Sequence, residues 1–236
     1  MALSLDSRKK TVFHAVVREY LRSAEPVGSG TLVERYRLDV SPATIRNDMV
    51  DLEERGLLEQ PHTSSGRIPT EDGYRFYVDE FVQQTVLRER ERKIIEMALA
   101  AIEEEKNDAL KVFMKSLASM TEETVFASFG DHTWYIVGMT NLLHKPEFRE
   151  TNLFDTLSVA LEDFDEIISD CERRLTSDIE IFIGTENPFG SALSAVLTTG
   201  DVPGVGEGIV GILGPTRMDY DTNAALLRYV HEFLRN

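Results

Sequence analysis

The segment Ser41–Gln60, SPATIRNDMVDLEERGLLEQ, constrains this chain more than any other. Ser41 reads as a helix N-cap. Pro42 falls at the first helical position, where its fixed φ suits the helix and its missing N–H has no intrahelical partner to lose. Gly56 supplies the left-handed stop. Between them Ile45, Met49 and Leu52 share one face by i, i+4, i+7 spacing. The opposite face carries Ser41, Ala43, Thr44, Arg46 and Asn47. A short helix with marked ends must therefore bury one side and present a guanidinium and a carboxamide on the other. Its acids, Asp48, Asp51, Glu53 and Glu54, lie further along.

The flanking residues extend this into a unit. Ser7–Ser23 predicts a helix with Ser7 as cap and a stripe of Val12, Phe13, Val16, Val17, Tyr20 and Leu21. EPVGS breaks it, Ser29 caps a short helix over Gly30–Tyr36, and RLDV turns into the segment above. Leu57–Gln60 reads as a strand and PHTSSGRIP as a polar loop. Thr70 caps a further helix through Tyr74, Phe76, Tyr77 and Val78. That order predicts a winged helix-turn-helix over residues 1–80. In this geometry the third helix enters the major groove of DNA. Arg46 suits a guanine, Asn47 an adenine edge or a phosphate, and Thr44 a thymine methyl, while the helix N-terminus offers free N–H groups to a phosphate. His62, Thr63, Ser64, Ser65, Gly66 and Arg67 form a donor-rich wing suited to phosphates or a minor groove. Two plainer alternatives stand beside this one: a small helical domain, and a winged helix that docks protein.

Residues 79–120 contain no glycine or proline. Ile94, Ile95, Leu99 and Ile102, then Phe113 and Leu117, recur at amphipathic spacing and predict a helical linker over 81–122. This stripe is either a dimer contact or packing against the remainder of the chain. Residues 123–236 mix strand-like runs (Trp134–Met139, Ile179–Gly184, Gly208–Gly214) with helix-like ones (Phe154–Leu175, Thr222–Leu234). DVPGVGEG reads as a turn between helix and strand. The fold class expected is α+β.

Composition decides what else is excluded. Of 236 residues, 42% are hydrophobic and 28% charged, as in a globular protein. No apolar run nears the roughly 20 residues of a membrane span, the N-terminus lacks the pattern of a secretion signal, and one cysteine cannot form an internal disulfide. A cytoplasmic protein is expected. The net charge of −16 argues against nucleic acid only as a total. Residues 1–78 hold 11 basic and 12 acidic side chains, so nearly all the acidity lies beyond them. His14, His62, His132, His144 and His231 are scattered without a nucleophile or ligand set. The acidic run Glu162, Asp163, Asp165, Glu166 reads as a solvated helix face. Neither catalysis, nor a metal, nor a cofactor is expected.

EPVGSGTL, the run from SPATIRNDM through PHTSSGRIPTEDGYRFYVD, NLLHKPEF, IFIGTEN and GILGPTRMDY together resemble the HrcA family of bacterial heat-inducible transcription repressors. The resemblance covers most of residues 7–235. It implies a winged helix followed by a GAF-like domain, and repression of chaperone genes by a homodimer on an inverted-repeat operator, CIRCE. It also implies heat control through instability of the repressor with help from a GroEL-type chaperonin. Ser41, Thr44, Arg46 and Asn47 would then face the groove, and His62, Ser65, Gly66 and Arg67 the wing. GPTRMDY becomes a structural turn into the last helix. Family members usually run about a hundred residues longer, and the shortfall falls between Phe129 and Trp134. The GAF-like domain is therefore expected to be reduced, with the apolar stripe as its substitute dimer contact. A ligand-sensing regulator with a winged-helix output is the alternative, and an apolar pocket in the last stretch would favour it.

Overall fold

A computed structural model describes residues 4–82, 85–104, 106–130, 133–150, 153–202 and 206–235, with the side chains of 101–108 and 149–156 outside that description. The chain divides into two units, Met1–Phe81 and Val82–Asn236.

In the first unit, α1 (Ser7–Ser23), α2 (Ser29–Tyr36) and α3 (Pro42–Glu54) pack mutually, and α4 (Glu71–Phe81) closes on α1. Two caps differ from expectation. Asp6, one residue before Ser7, caps α1 by accepting from the Lys9 N–H at 2.9 Å. Gly28 precedes α2 without a side-chain cap, so Ser29 becomes its first residue. Val12, Phe13, Val16 and Val17 are buried, as are Leu32, Ile45, Met49 and Leu52 from the neighbouring helices. The strands β1 (Leu58–Glu59) and β2 (Ile68–Pro69) pair antiparallel, and Val27 adds a bridge to Arg67. Helix, turn, helix and wing stand in the predicted order.

The second unit opens with α5 (Glu89–Glu104) and α6 (Lys106–Thr121), which pack on each other. They are followed by β3 (Thr124–Phe129), β4 (Thr133–Val137), α7 (Met139–Leu143), α8 (Glu147–Glu150), α9 (Leu153–Glu162), α10 (Phe164–Arg174), β5 (Glu180–Ile183), β6 (Leu193–Val202), β7 (Gly206–Pro215) and α11 (Tyr220–Leu234). The five strands form one antiparallel sheet in the order β4-β3-β7-β6-β5. Alternation sorts its side chains. Phe126, Leu193, Ala195, Leu197, Ile209 and Leu213 join one core with Leu157, Phe164, Ile168 and Cys171 of α9 and α10. The intervening residues point to the other face, where α6 packs on β3 and α11 on β6 and β7.

Several expectations change here. Residues 81–122 are no free linker: α5 and α6 pack in the second unit, with α11 against both. Ile95, Leu99, Phe113 and Leu117 are at most 1% exposed in the chain's own core, so they are not available as a partner face. Ile94 is half-buried and the Ile102 side chain lies outside the described residues. The run Phe154–Leu175 is two helices that break at Asp163, which lets residues on both reach the same core. DVPGVGEG joins two strands rather than a helix and a strand. Like β2 in the first unit, two strands in the second, β3 and β6, had no sequence assignment. Both sit inside the sheet and are buried along most of their length, so their residues do not alternate in polarity. Where the shortfall is expected, β3 and β4 stay in register up to the pair Phe129 and Thr133.

The motifs NLLHKPEF and GPTRMDY have structural tasks. Asp219 caps α11 through the Thr222 N–H, and the buried Tyr220 hydroxyl donates to the Thr216 carbonyl at 2.6 Å and lies 2.9 Å from the Ser194 hydroxyl. Arg217 pairs with Glu147, and Lys145 with Glu123 at 2.8 Å. NLLHKPEF and GPTRMDY thus supply charges around Glu123, whose carboxyl fills the space a Cβ at Gly214 would need. Burial, only partly offset by Lys145 and Arg217, pushes the Glu123 carboxyl up to about 7. The folded chain then holds a proton that the unfolded chain releases near the ordinary carboxylate value, so this contribution to stability is present at low pH and lost as pH rises towards 7. The difference in melting temperature between Glu123→Gln and the parent chain should shift in the variant's favour from pH 5 to pH 8. A difference constant with pH, measured by circular dichroism, overturns this.

Candidate nucleic-acid interface

Helix α3 begins as the sequence requires. Ser41 Oγ accepts from the Thr44 N–H at 3.1 Å and lies 2.9 Å from the Thr44 hydroxyl. Ile45, Met49 and Leu52 are buried, which turns Ser41, Ala43, Arg46 and Asn47 outward, with Thr44 half-buried by its cap contact. Arg46 and Asn47 form no hydrogen bond or ion pair with the described residues.

The acids of α3 have partners behind it. Asp48 is 3% exposed and receives two hydrogen bonds from Arg8, Nε and Nη2 both at 2.8 Å. Lys9 reaches Asp51 at 2.9 Å and, with Arg55, holds that carboxyl below the usual range. Glu53 pairs with Arg67. Three of the four carboxylates on the helix are thus neutralised from α1, the helix end and the wing. The exposed positive charge of Arg46 has no acid on it.

The wing separates into tip and root. His62, Thr63 and Ser64 are exposed, and Ser64 has φ +68°. Ser65 is occupied within the turn, its Oγ donating to the His62 carbonyl at 2.6 Å and accepting from the His62 N–H at 3.2 Å. Gln60 fixes the Ser65 carbonyl from the other side. Gly66 lets Val27 approach, since a Cβ there would stand 2.3 Å from the Val27 carbonyl oxygen. Arg67 exchanges two backbone bonds of 2.9 Å with Val27 and spends its guanidinium on Glu53, leaving the side chain 14% exposed. Ser65, Gly66 and Arg67 therefore hold the root of the wing in this structure. Polarity named these residues, and only the tertiary pairing separates root from tip.

One exposed cation escaped the sequence reading. Arg37 ends α2 in the left-handed conformation, φ 50° and ψ 42°, and has no ion pair among the described residues. The signal was an arginine at a helix stop that usually carries glycine.

Among its described residues the second unit carries an open groove of about 770 Å³ along Val159, Asp163, Glu166, Asp170, Arg173 and Phe189. The enclosed cavity between Phe126, Ile136, Leu157, Phe164, Phe189 and Leu213 measures about 10 Å³, room for one water at most. The acids at 162, 163, 165 and 166 are exposed, and no metal-ligating cluster occurs among the described residues. Cys171 is buried, with its thiol pushed up to about 12, so it is unreactive. No described helix is long and apolar enough to cross a membrane.

Comparison with known proteins agrees with this geometry. A family model for a DeoR-like helix-turn-helix domain matches residues 14–68, and one for the HrcA protein C terminal domain matches residues 73–223. The chain belongs to the HrcA family. The heat-inducible transcription repressor HrcA of Natranaerobius thermophilus is 46% identical over 122 residues, covering 52% of this chain and 36% of that protein. The chain thus spans about a third of the length of such relatives. With the repressor of Syntrophobacter fumaroxidans the similarity runs end to end, at 29% identity, covering 98% of this chain and 96% of the relative. That alignment's 338 positions exceed the 236 residues here by 102, in keeping with a shortened family member. A crystal structure of a hypothetical protein, 19% identical, shares the fold with a TM-score of 0.77 over 98% of both chains.

Because Gly66 carries the closest backbone approach in the wing, Gly66→Ala should destabilise the first unit by about 1–3 kcal/mol. A thermal melt should then show its midpoint lowered by roughly 5–15 °C. An unchanged midpoint would mean that the Val27–Arg67 bridge does not hold the wing.

Proposed function

We propose that this chain is a sequence-specific DNA-binding transcriptional repressor of heat-shock genes, acting as a homodimer on an inverted-repeat operator of the CIRCE kind. The observation that carries the reading is the unpaired, outward Arg46–Asn47 pair on the first two turns of a capped helix whose acids are neutralised from behind. A guanidinium there can give two donors to guanine O6 and N7, and the carboxamide can match adenine N6 and N7. Ser41 and the free N–H groups of the first turn suit a flanking phosphate. His62, Thr63 and Ser64 at the wing tip reach a second stretch of backbone or a minor groove.

One winged helix reads half a site, so an inverted repeat demands a two-fold partner. Family membership supports the repressor role, since the named relatives are heat-inducible transcription repressors. Assistance from a GroEL-type chaperonin and a cytoplasmic site of action belong to the same reading and rest on the family alone. The enclosed apolar cavity of the second unit is too small for a ligand, and an uncovered arginine on the helix speaks against a protein-docking scaffold.

Gel-shift titration at fixed salt, with an inverted-repeat duplex and a scrambled one, tests this. The parent chain should prefer the repeat. Arg46→Ala should weaken that complex by about 1–3 kcal/mol while changing the scrambled complex far less. Equal losses on both duplexes would reduce Arg46 to a backbone contact, and equal affinity of the parent chain for both would overturn the operator reading.

A further inference from the structure

The cations of the first unit divide sharply. Arg8 is held by Asp48, Lys9 by Asp6 and Asp51, Lys10 by Glu80, Arg22 and Arg35 by the buried Glu19, Arg55 by Asp51 and Arg67 by Glu53. Arg37 and Arg46 form no ion pair or hydrogen bond with the described residues. Arg46 has its task in the reading above. Arg37 has none.

Arg37 also occupies an unfavourable backbone position. It terminates α2 with φ 50°, where a β-carbon is strained and where helices commonly place glycine. Glu34, three residues before it, and Asp39, two residues after it, are both exposed and do not engage it. Local strain that no internal contact offsets points to an external partner. Position names the partner. Arg37 lies four residues ahead of the α3 cap, so its Cα is at most roughly 14 Å from that of Ser41. The major groove is only about 12 Å wide. A helix end seated in that groove therefore brings the α2–α3 turn to the level of the flanking strand.

We propose that Arg37 is a phosphate contact of the DNA complex: it positions α3 over the groove by neutralising one backbone phosphate per protomer and reads no base. This rests on the DNA-binding reading above and adds a division of labour, with Arg37 fixing register and Arg46 reading sequence. A single point charge suffices for the first task, whereas a bidentate base contact needs the planar fork of arginine.

The test is fluorescence-anisotropy titration of the full chain with the inverted-repeat and scrambled duplexes between 50 and 200 mM salt. Arg37→Asn removes the charge and keeps a residue that tolerates positive φ. It should weaken both complexes by the same factor, and the slope of log K against log salt should become shallower by about 0.9 per bound protomer. Arg37→Lys should restore both. A parallel melt of Arg37→Asn separates binding from folding, because a basic residue at a helix C-terminus also stabilises the helix. A lowered midpoint with the parent salt slope leaves Arg37 only that role and overturns the assignment, as does a loss confined to the inverted repeat. If the parent chain binds both duplexes equally, the operator reading fails while the salt slope still decides Arg37. A parent chain that binds neither overturns both.

Discussion

Arg8 closes on Asp48 from one side of α3, and nearly everything the first unit does depends on that contact. A carboxylate in the middle of a short helix would put negative charge beside the outward Arg46–Asn47 face, and burying it alone would cost several kcal/mol. The fork of Arg8 meets both oxygens, so Asp48 is buried beside Ile45, Met49 and Leu52 as part of the packed side. Lys9 and Arg67 treat Asp51 and Glu53 the same way. An acidic chain can thereby carry a basic working surface, because its acids are compensated where they stand rather than diluted over the molecule.

The wing obeys the same economy of partners. Its root is fixed by backbone exchange between Val27 and Arg67, by a glycine that admits the approach, and by a serine folded into its own turn. What remains free at the tip is short and polar. In the second unit, the charges drawn from two distant motifs surround Glu123 beneath the sheet, and the apolar stripe of α5 and α6 is consumed by intrachain packing. The aromatic core between sheet and α9–α10 is closely packed, with an enclosed cavity of only about 10 Å³.

Local features were legible where physics acts over a few residues. The Ser41–Pro42 start, the Gly56 stop, the outward placing of Arg46 and Asn47, the order of helices and wing, and the strands around Trp134, Ile181 and Ile209 all follow from capping, spacing and polarity. Failures cluster where the deciding partner is distant. Ser7 gave way to Asp6 because the chain entered the helix one residue earlier. The helix after Phe154 broke because one core had to receive residues from both halves. β3 and β6, inside the sheet and largely buried, show no alternating pattern by which to be recognised.

The sequence by itself determined that α3 forms, where it ends and which face it offers, since caps and periodicity are short-range and belong to the residues that carry them. Only the tertiary structure decided which charges on that face stay free. Whether Arg67 stands free or pairs with Glu53, and whether Ile95 and Phe113 lie on the surface or in the chain's own core, turns on pairings between residues far apart in the chain. Such pairings bury or occupy a side chain that sequence polarity alone would leave on the surface, and no short-range rule reports them.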